Sequence, residues 1–144
     1  MPSEPQLPAE PLCLVFGDED FLVRDRAKQI YEGWCAAAGG MDHEVVDGSV
    51  RNADEALQAL AKLNEALQTL PFFGGNKVVW LRGANFLGDD RKASSAAVTD
   101  RLTELAKSWE SFDWQGVQLL ISAGKVDKRK SFLKTVKKFA ALED

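Results

Sequence analysis

The sequence predicts an α/β domain, a mostly parallel sheet with helices on both faces. Three observations carry this. Short, nearly continuous apolar runs occur at Leu12–Phe16, Lys77–Arg82 and Val117–Ser122. Such runs suit strands buried on both faces. Between them, apolar residues recur at three- and four-residue steps, the period of a helix. The two kinds of segment alternate along the chain, and strands alternating with helices imply parallel pairing.

Each element has its own justification. Residues 1–11 contain Pro2, Pro5, Pro8 and Pro11 and are expected to form a flexible leader. Leu12–Phe16 is the first strand, ended by Gly17. Asp18, Glu19 and Asp20 then open a helix, where acids favour the positive end of the dipole. Val23, Ala27, Ile30, Trp34 and Ala38 mark its buried face, and Gly39-Gly40 stops it. His43–Asp47 is a shorter second strand. From Ala53 a second helix carries Leu60, Leu63, Leu67 and Leu70 on one face until Pro71 ends it. Phe72-Phe73-Gly74-Gly75 precede the strand Lys77–Arg82. A polar loop around Gly88–Lys92 leads to a third helix marked by Val98, Leu102, Leu105, Trp109 and Phe112. Val117–Ser122 is the last expected strand, and a basic helix over 128–140 closes the chain. The expected order is β-α-β-α-β-α-β-α.

Composition narrows the classes of function. The chain has 144 residues, 45% hydrophobic and 28% charged, enough for one domain with a real core. Its net charge of −4 and pI near 5.1 argue against general coating of DNA, which needs an excess of Lys and Arg. Cys13 and Cys35 sit within apolar patterns and read as small core residues. The first residues lack the basic start and apolar stretch of a secretory signal. No apolar run approaches the roughly 20 residues of a membrane span. No membrane contact is therefore expected, and cytoplasm is the expected location.

Phosphate chemistry belongs at the turn after the first strand. A phosphate loop there has the form G-x-x-x-x-G-K-[ST]. This chain instead has Gly17-Asp18-Glu19-Asp20-Phe21-Leu22-Val23-Arg24, without the second glycine, the lysine or the hydroxyl. Three carboxylates stand where an anion would dock, and like charges about 4 Å apart repel by about 1 kcal/mol even in water. Neither strand end at Leu81-Arg82-Gly83 nor that at Ile121-Ser122-Ala123 supplies an acidic pair for hydrolysis. His43 and the two cysteines match no zinc spacing, and His43 fits a strand position better than a ligand. No cofactor, metal or catalytic residue is expected.

Two positive features remain. In Gln68-Thr69-Leu70-Pro71-Phe72-Phe73 a helix ends and two large rings follow on a short turn. Burying one Phe is worth about 1.5–3 kcal/mol. Spacing leaves two readings open: both rings cap the helix–sheet junction, or one faces outward as an anchor for a partner. The second feature is the basic stretch with Lys125, Lys128, Arg129, Lys130 and Lys134. It suits contact with DNA phosphates or an acidic subunit, or simply the solvated face of a docked helix.

These segments resemble the N-terminal domain of the delta subunit of bacterial DNA polymerase III, a clamp-loader subunit. Val15–Val23 is similar to the family's opening strand and its G-[DE]-[DE]-x-[FY]-L turn. Leu70–Val79 is similar to its L-x-[LF]-F-x-x-x-[KR] segment followed by two apolar residues, with Phe72 where Leu is frequent. Leu119–Ser122 with Asp127–Lys130 is similar to its strand and D-x-R-K stretch. The resemblance implies an AAA+/RecA-like fold with a degenerate nucleotide site over residues 12–144. It implies that a helical lid and a collar, present in longer family members, lie outside this chain. It further implies no catalysis, binding to the sliding clamp (the beta subunit), assembly with other loader subunits and indirect association with DNA. Gln68, Leu70, Pro71, Phe72 and Phe73 match the clamp-binding element. The alternatives are a divergent metal- or nucleotide-dependent hydrolase using Asp18, Glu19 or Asp20, and a DNA-binding module using the basic terminus.

Overall fold

The computed structural model describes residues 6–39, 43–69, 76–91 and 93–144. Its elements are β1 (Leu12–Val15), α1 (Asp20–Ala38), β2 (Glu44–Asp47), α2 (Ala53–Gln68) and β3 (Lys77–Ala84). They continue with α3 (Ala96–Glu110), β4 (Val117–Ala123), α4 (Ser131–Val136) and β5 (Ala141–Glu143). The sheet runs β2-β3-β4-β1-β5, and every adjacent pair is parallel. Parallel pairing follows from the helix that separates each strand from the next.

The helix boundaries have local causes. Asn52 caps α2, its side-chain oxygen accepting from the Glu55 N–H at 2.9 Å. α1 ends at Gly39, whose φ of 70° few other residues adopt. Gly48 has a different reason. A side chain there would meet the Ala84 backbone at 2.8 Å, because the Gly48 N–H donates to the Arg82 carbonyl at 2.7 Å.

The direction of each crossover sets which face its helix covers. From β1 the chain passes over β4 and β3 to reach β2, whereas every later connection runs the opposite way along the sheet. Right-handed crossovers therefore put α1 on one face and α2, α3 and α4 on the other. The strand side chains divide accordingly. Cys13, Val15, Val78, Trp80 and Leu120 pack with Val23, Ala27, Ile30 and Trp34 of α1. Leu12, Leu14, Val79, Leu81, Leu119 and Ile121 join the larger core beneath the other three helices. Strands covered on both faces read as unbroken apolar runs, which is why β1 and β4 were legible.

The basic helix expected over 128–140 is not what forms. α4 spans six residues, 137–139 form a turn, and Ala141–Glu143 become a fifth strand. Phe132, Leu133 and Val136 keep helical spacing and are buried, but β1 still has an open edge. β5 fills it, pairing Cys13 with Ala141 and Val15 with Glu143. The Phe16 N–H continues this pairing to the Glu143 carbonyl at 2.9 Å. Ahead of β1, residues 6–11 run along α1. The Gln6 carbonyl accepts from Arg26 Nη2 at 2.7 Å, and Leu7 lies against Gly33.

Candidate functional site

The end of α2 is built from its sequence pattern. Ala56, Ala59, Leu60, Leu63, Ala66 and Leu67 are buried on one face, which leaves Gln68 exposed as the last helical residue. Leu70, Pro71, Phe72 and Phe73 lie outside the described residues. The structure therefore places one member of the expected clamp-binding set, at the exposed tip of α2.

What holds that tip is a buried lysine. The last turn of α2 contains no basic residue of its own, although its carbonyls carry the negative end of the helix dipole. Lys77, at the start of β3 and only 2% exposed, supplies the charge from a neighbouring element. Its Nζ donates to the Ala66 carbonyl at 2.8 Å and to the Thr69 carbonyl at 3.2 Å, and pairs with Glu44 of β2 at 3.2 Å. Three N–H groups meet three oxygens, so the ammonium is satisfied in a site with little water. Thr69 adds a bond from its hydroxyl to the Glu65 carbonyl at 2.8 Å.

His43 lies next to this junction as a connector. Its Nδ1 accepts from the Val78 N–H at 3.0 Å, so the proton sits on Nε2, which donates to the Gly39 carbonyl at 2.8 Å. The imidazole thereby ties the end of α1 to β3.

A second region lies at the C-terminal ends of β1 and β4. The connections after these neighbouring strands leave toward opposite faces, the arrangement that opens a ligand crevice in such sheets. Here a crevice of about 620 Å³ is lined by Gly17, Asp18, Glu19, Leu22, Asp25, Arg26, Glu143 and Asp144, among others. Its chemistry disfavours phosphate. The Gly17 N–H donates to the Gly124 carbonyl at 3.1 Å and the Phe16 N–H to Glu143, so neither is available to cradle an anion. Its one cation, Arg26, is held by Glu143 through a two-point pair at 2.7 and 3.0 Å. Among the described residues no group of three or more His, Cys, Asp or Glu side chains is arranged to hold a metal ion. Asp20 pairs with Arg24 at 2.9 Å instead of converging with its acidic neighbours.

The basic residues do not converge on one face of a long helix. Lys125 and Lys128 border a hollow shared with Asp18 and Asp144. Lys128 pairs with Asp144 at 3.6 Å and lies 5.4 Å from the centre of the Phe16 ring. Arg129 folds back onto Asp127 at 3.0 and 3.1 Å, which holds the Asp127 carboxyl down at about 2. The Lys130 ammonium donates to the Ala93 carbonyl, and Lys134 is exposed on α4.

The residues that reasoning from sequence missed are Lys77 and Ser122. Both are buried polar side chains inside strands that otherwise read as apolar. A lysine leading a Val-Val-Trp-Leu run was the available signal for the first.

Among the described residues, no helix is long and apolar enough to cross a membrane. A search of curated proteins finds no match. Among solved structures the fold is similar to the Bacillus subtilis DNA clamp loader delta protein (YqeN), with a TM-score of 0.61 at 22% identity. That match covers 92% of this chain and 37% of the other, so the chain spans little more than a third of its relative's length. The DNA polymerase III, delta subunit, family matches residues 14–143. With nearly all of its fold inside that match, this chain belongs to the DNA polymerase III delta-subunit family.

Proposed function

We propose that this domain is the clamp-contacting module of a clamp-loader delta-type subunit, acting by binding and not by catalysis. The observation that carries the reading is the family match, which contains the whole α2–β3 junction. The exposed tip of α2 at Gln68 leads into Leu70-Pro71-Phe72-Phe73, and the rings enter an apolar pocket of the sliding clamp. α2 then presses on the clamp near its subunit interface and favours the open ring. ATP acts through other loader subunits, and DNA associates through the assembled complex. The crowded, acidic crevice after β1 supports the division of labour, because it offers no phosphate cradle. Work of this kind takes place in the cytoplasm, where replication proceeds.

The experiment is a binding titration of the chain against a bacterial sliding clamp. Two large apolar anchors at the centre of an interface each contribute on the order of 2 kcal/mol or more. Replacing both Phe72 and Phe73 with Ala is therefore expected to weaken binding by at least about 100-fold while the circular dichroism spectrum is retained. A folded double variant that binds the clamp as tightly as the parent would reject the reading.

A further inference from the structure

We infer that the edge strand β2 is a docking site for an extended, basic segment of a partner protein, which adds to the sheet as a further strand. β2 ends the sheet on one side, and among the described residues it pairs only with β3. The Gly48 N–H donates to the Arg82 carbonyl at 2.7 Å, and the Gly48 carbonyl accepts from the Asn85 N–H at 3.2 Å. Gly48 thus turns both backbone groups toward β3. Successive residues of a strand turn these groups to opposite sides. The N–H and carbonyl groups of Val45 and Asp47 therefore face the open edge, an unfilled half-ladder of the kind that a peptide strand completes.

Both faces beside this edge have room for the incoming side chains. On one face a groove of about 670 Å³ runs between β2 and α2, with Val46, Val50 and Ala59 as its apolar floor. On the other face α1 does not reach β2: the buried strand residues packed beneath α1 come from β1, β3 and β4. Val45 lies in register with Trp80 on that face and is 41% exposed. A strand placed about 4.8 Å outside β2 sends one row of side chains into the groove and the other alongside Val45. Main-chain bonds then supply affinity, and the two faces select the side chains.

Charge decides the occupant. Glu44 and Asp47 stand at the two ends of β2, and both are exposed. A second copy of this chain, paired antiparallel over the whole strand, brings Glu44 opposite Asp47 at both ends. Parallel pairing in register sets each carboxylate beside its own counterpart. Like charges facing each other across a ladder oppose pairing, so the edge rejects a copy of itself. A cationic strand meets the same carboxylates favourably. The charged side chains around the groove are Glu44, Asp47, Glu55, Glu65 and Lys62. Lys77 already pairs with Glu44 and Arg51 with Glu55, which leaves Asp47 and Glu65 against Lys62. Asp47 is held at the edge by the Ser49 N–H, which donates to its Oδ1 at 2.9 Å. The surplus is negative, and the fitting partner alternates apolar residues with Lys or Arg.

The test titrates the whole 144-residue chain with a fluorescent seven-residue peptide of alternating lysine and valine, read by anisotropy. Saturable binding with a Kd below about 1 mM is expected. Hydrogen exchange at the Val45 and Asp47 amides should slow by at least about 10-fold in the complex. No saturation by about 1 mM overturns the inference. Two further peptides separate its parts. One alternates glutamate and valine and is expected to bind at least about 10-fold more weakly. The other keeps lysine and valine but is methylated on every backbone nitrogen, and it should lose binding by a similar factor. Equal affinity of the first overturns the selection of a basic strand, and equal affinity of the second overturns strand addition. Val45→Pro removes an N–H on the open side while leaving the bonds to β3, and should weaken binding at least about 5-fold. A folded Val45→Pro that binds like the parent overturns the inference; if this variant does not fold, the methylated peptide decides. Asp47→Asn keeps an acceptor for Ser49 and removes the charge, so a loss of about 3-fold is expected and unchanged affinity counts against the charge argument. Sedimentation of the free chain checks the remaining occupant. A dimer with the Val45 and Asp47 amides protected assigns the edge to a second copy and overturns the inference.

Discussion

Ser122→Ala removes a single oxygen from the middle of the sheet, and the structure gives the size of the effect. Ser122 lies on β4 and is 1% exposed. Its Oγ accepts from the Trp80 indole N–H at 2.9 Å and from the Gly83 backbone N–H at 3.0 Å. Both donors belong to β3, at the place where its register with β4 shifts between Leu81 and Ala84. Alanine keeps the β-carbon, so almost no void opens, and the cost is the two orphaned donors. An unsatisfied buried donor costs about 1–3 kcal/mol; the indole N–H bears most of this, and the half-exposed Gly83 N–H recovers part from water. The expected loss is about 2–3 kcal/mol, or about 6–10 °C in melting temperature for a domain of this size. Urea denaturation followed by tryptophan fluorescence and far-ultraviolet circular dichroism measures it. The slope against urea should stay constant while the midpoint falls. A loss below about 0.5 kcal/mol would refute the idea that this hydroxyl is the acceptor holding the β3 irregularity in place.

Two further outcomes follow from other groups. Burial pushes the Cys13 thiol up to about 12 from an ordinary 9.0, so the unfolded chain loses this proton first as pH rises. Stability is full below about pH 9 and declines as the pH climbs toward 12. Tyr31, also raised to about 12 mainly by burial, adds to the same trend. Cys13→Ala should flatten the decline in urea midpoint between pH 8 and 11, and an identical pH slope would count against burial as its source. His43→Ala removes the acceptor for the Val78 N–H and the donor to the Gly39 carbonyl. It should cost about 1–2 kcal/mol and speed hydrogen exchange at Val78, whereas normal exchange there would show that the imidazole is dispensable.

The sheet was legible because its inner strands are covered on both faces and so spell continuous apolar runs. Leu12–Val15 and Val117–Ala123 needed no context to be recognised. β5 was not legible. Three residues, Ala141-Leu142-Glu143, show no period, and only the open edge of β1 makes them a strand. The stretch before it misled the reading of the basic terminus, since the helical spacing of Phe132, Leu133 and Val136 continues to Phe139, past the end of α4 at Val136. At the candidate site the missing phosphate loop was visible as absent residues. Lys77 was not visible, because a strand-initial lysine normally points to water. Its burial follows from where α2 ends, a three-dimensional fact that links Ala66, Thr69 and Glu44. The two ring nitrogens of His43 bridge α1 and β3 in a way that no local pattern encodes.

The position of β1 between β4 and β5 has a consequence for synthesis. β1 leaves the ribosome before the other described strands, yet its partners are Leu119–Ser122 and Ala141–Glu143. Leu12-Cys13-Leu14-Val15-Phe16 must therefore wait, unpaired and apolar, until nearly all the described chain has emerged. The pair β2–β3 closes over a much shorter loop and can form while β1 is still idle. Long-range parallel closure is slow, and an exposed strand of this composition is a target for aggregation or for a chaperone. The topology that buries β1 most completely at the end of folding leaves it unprotected for longest beforehand.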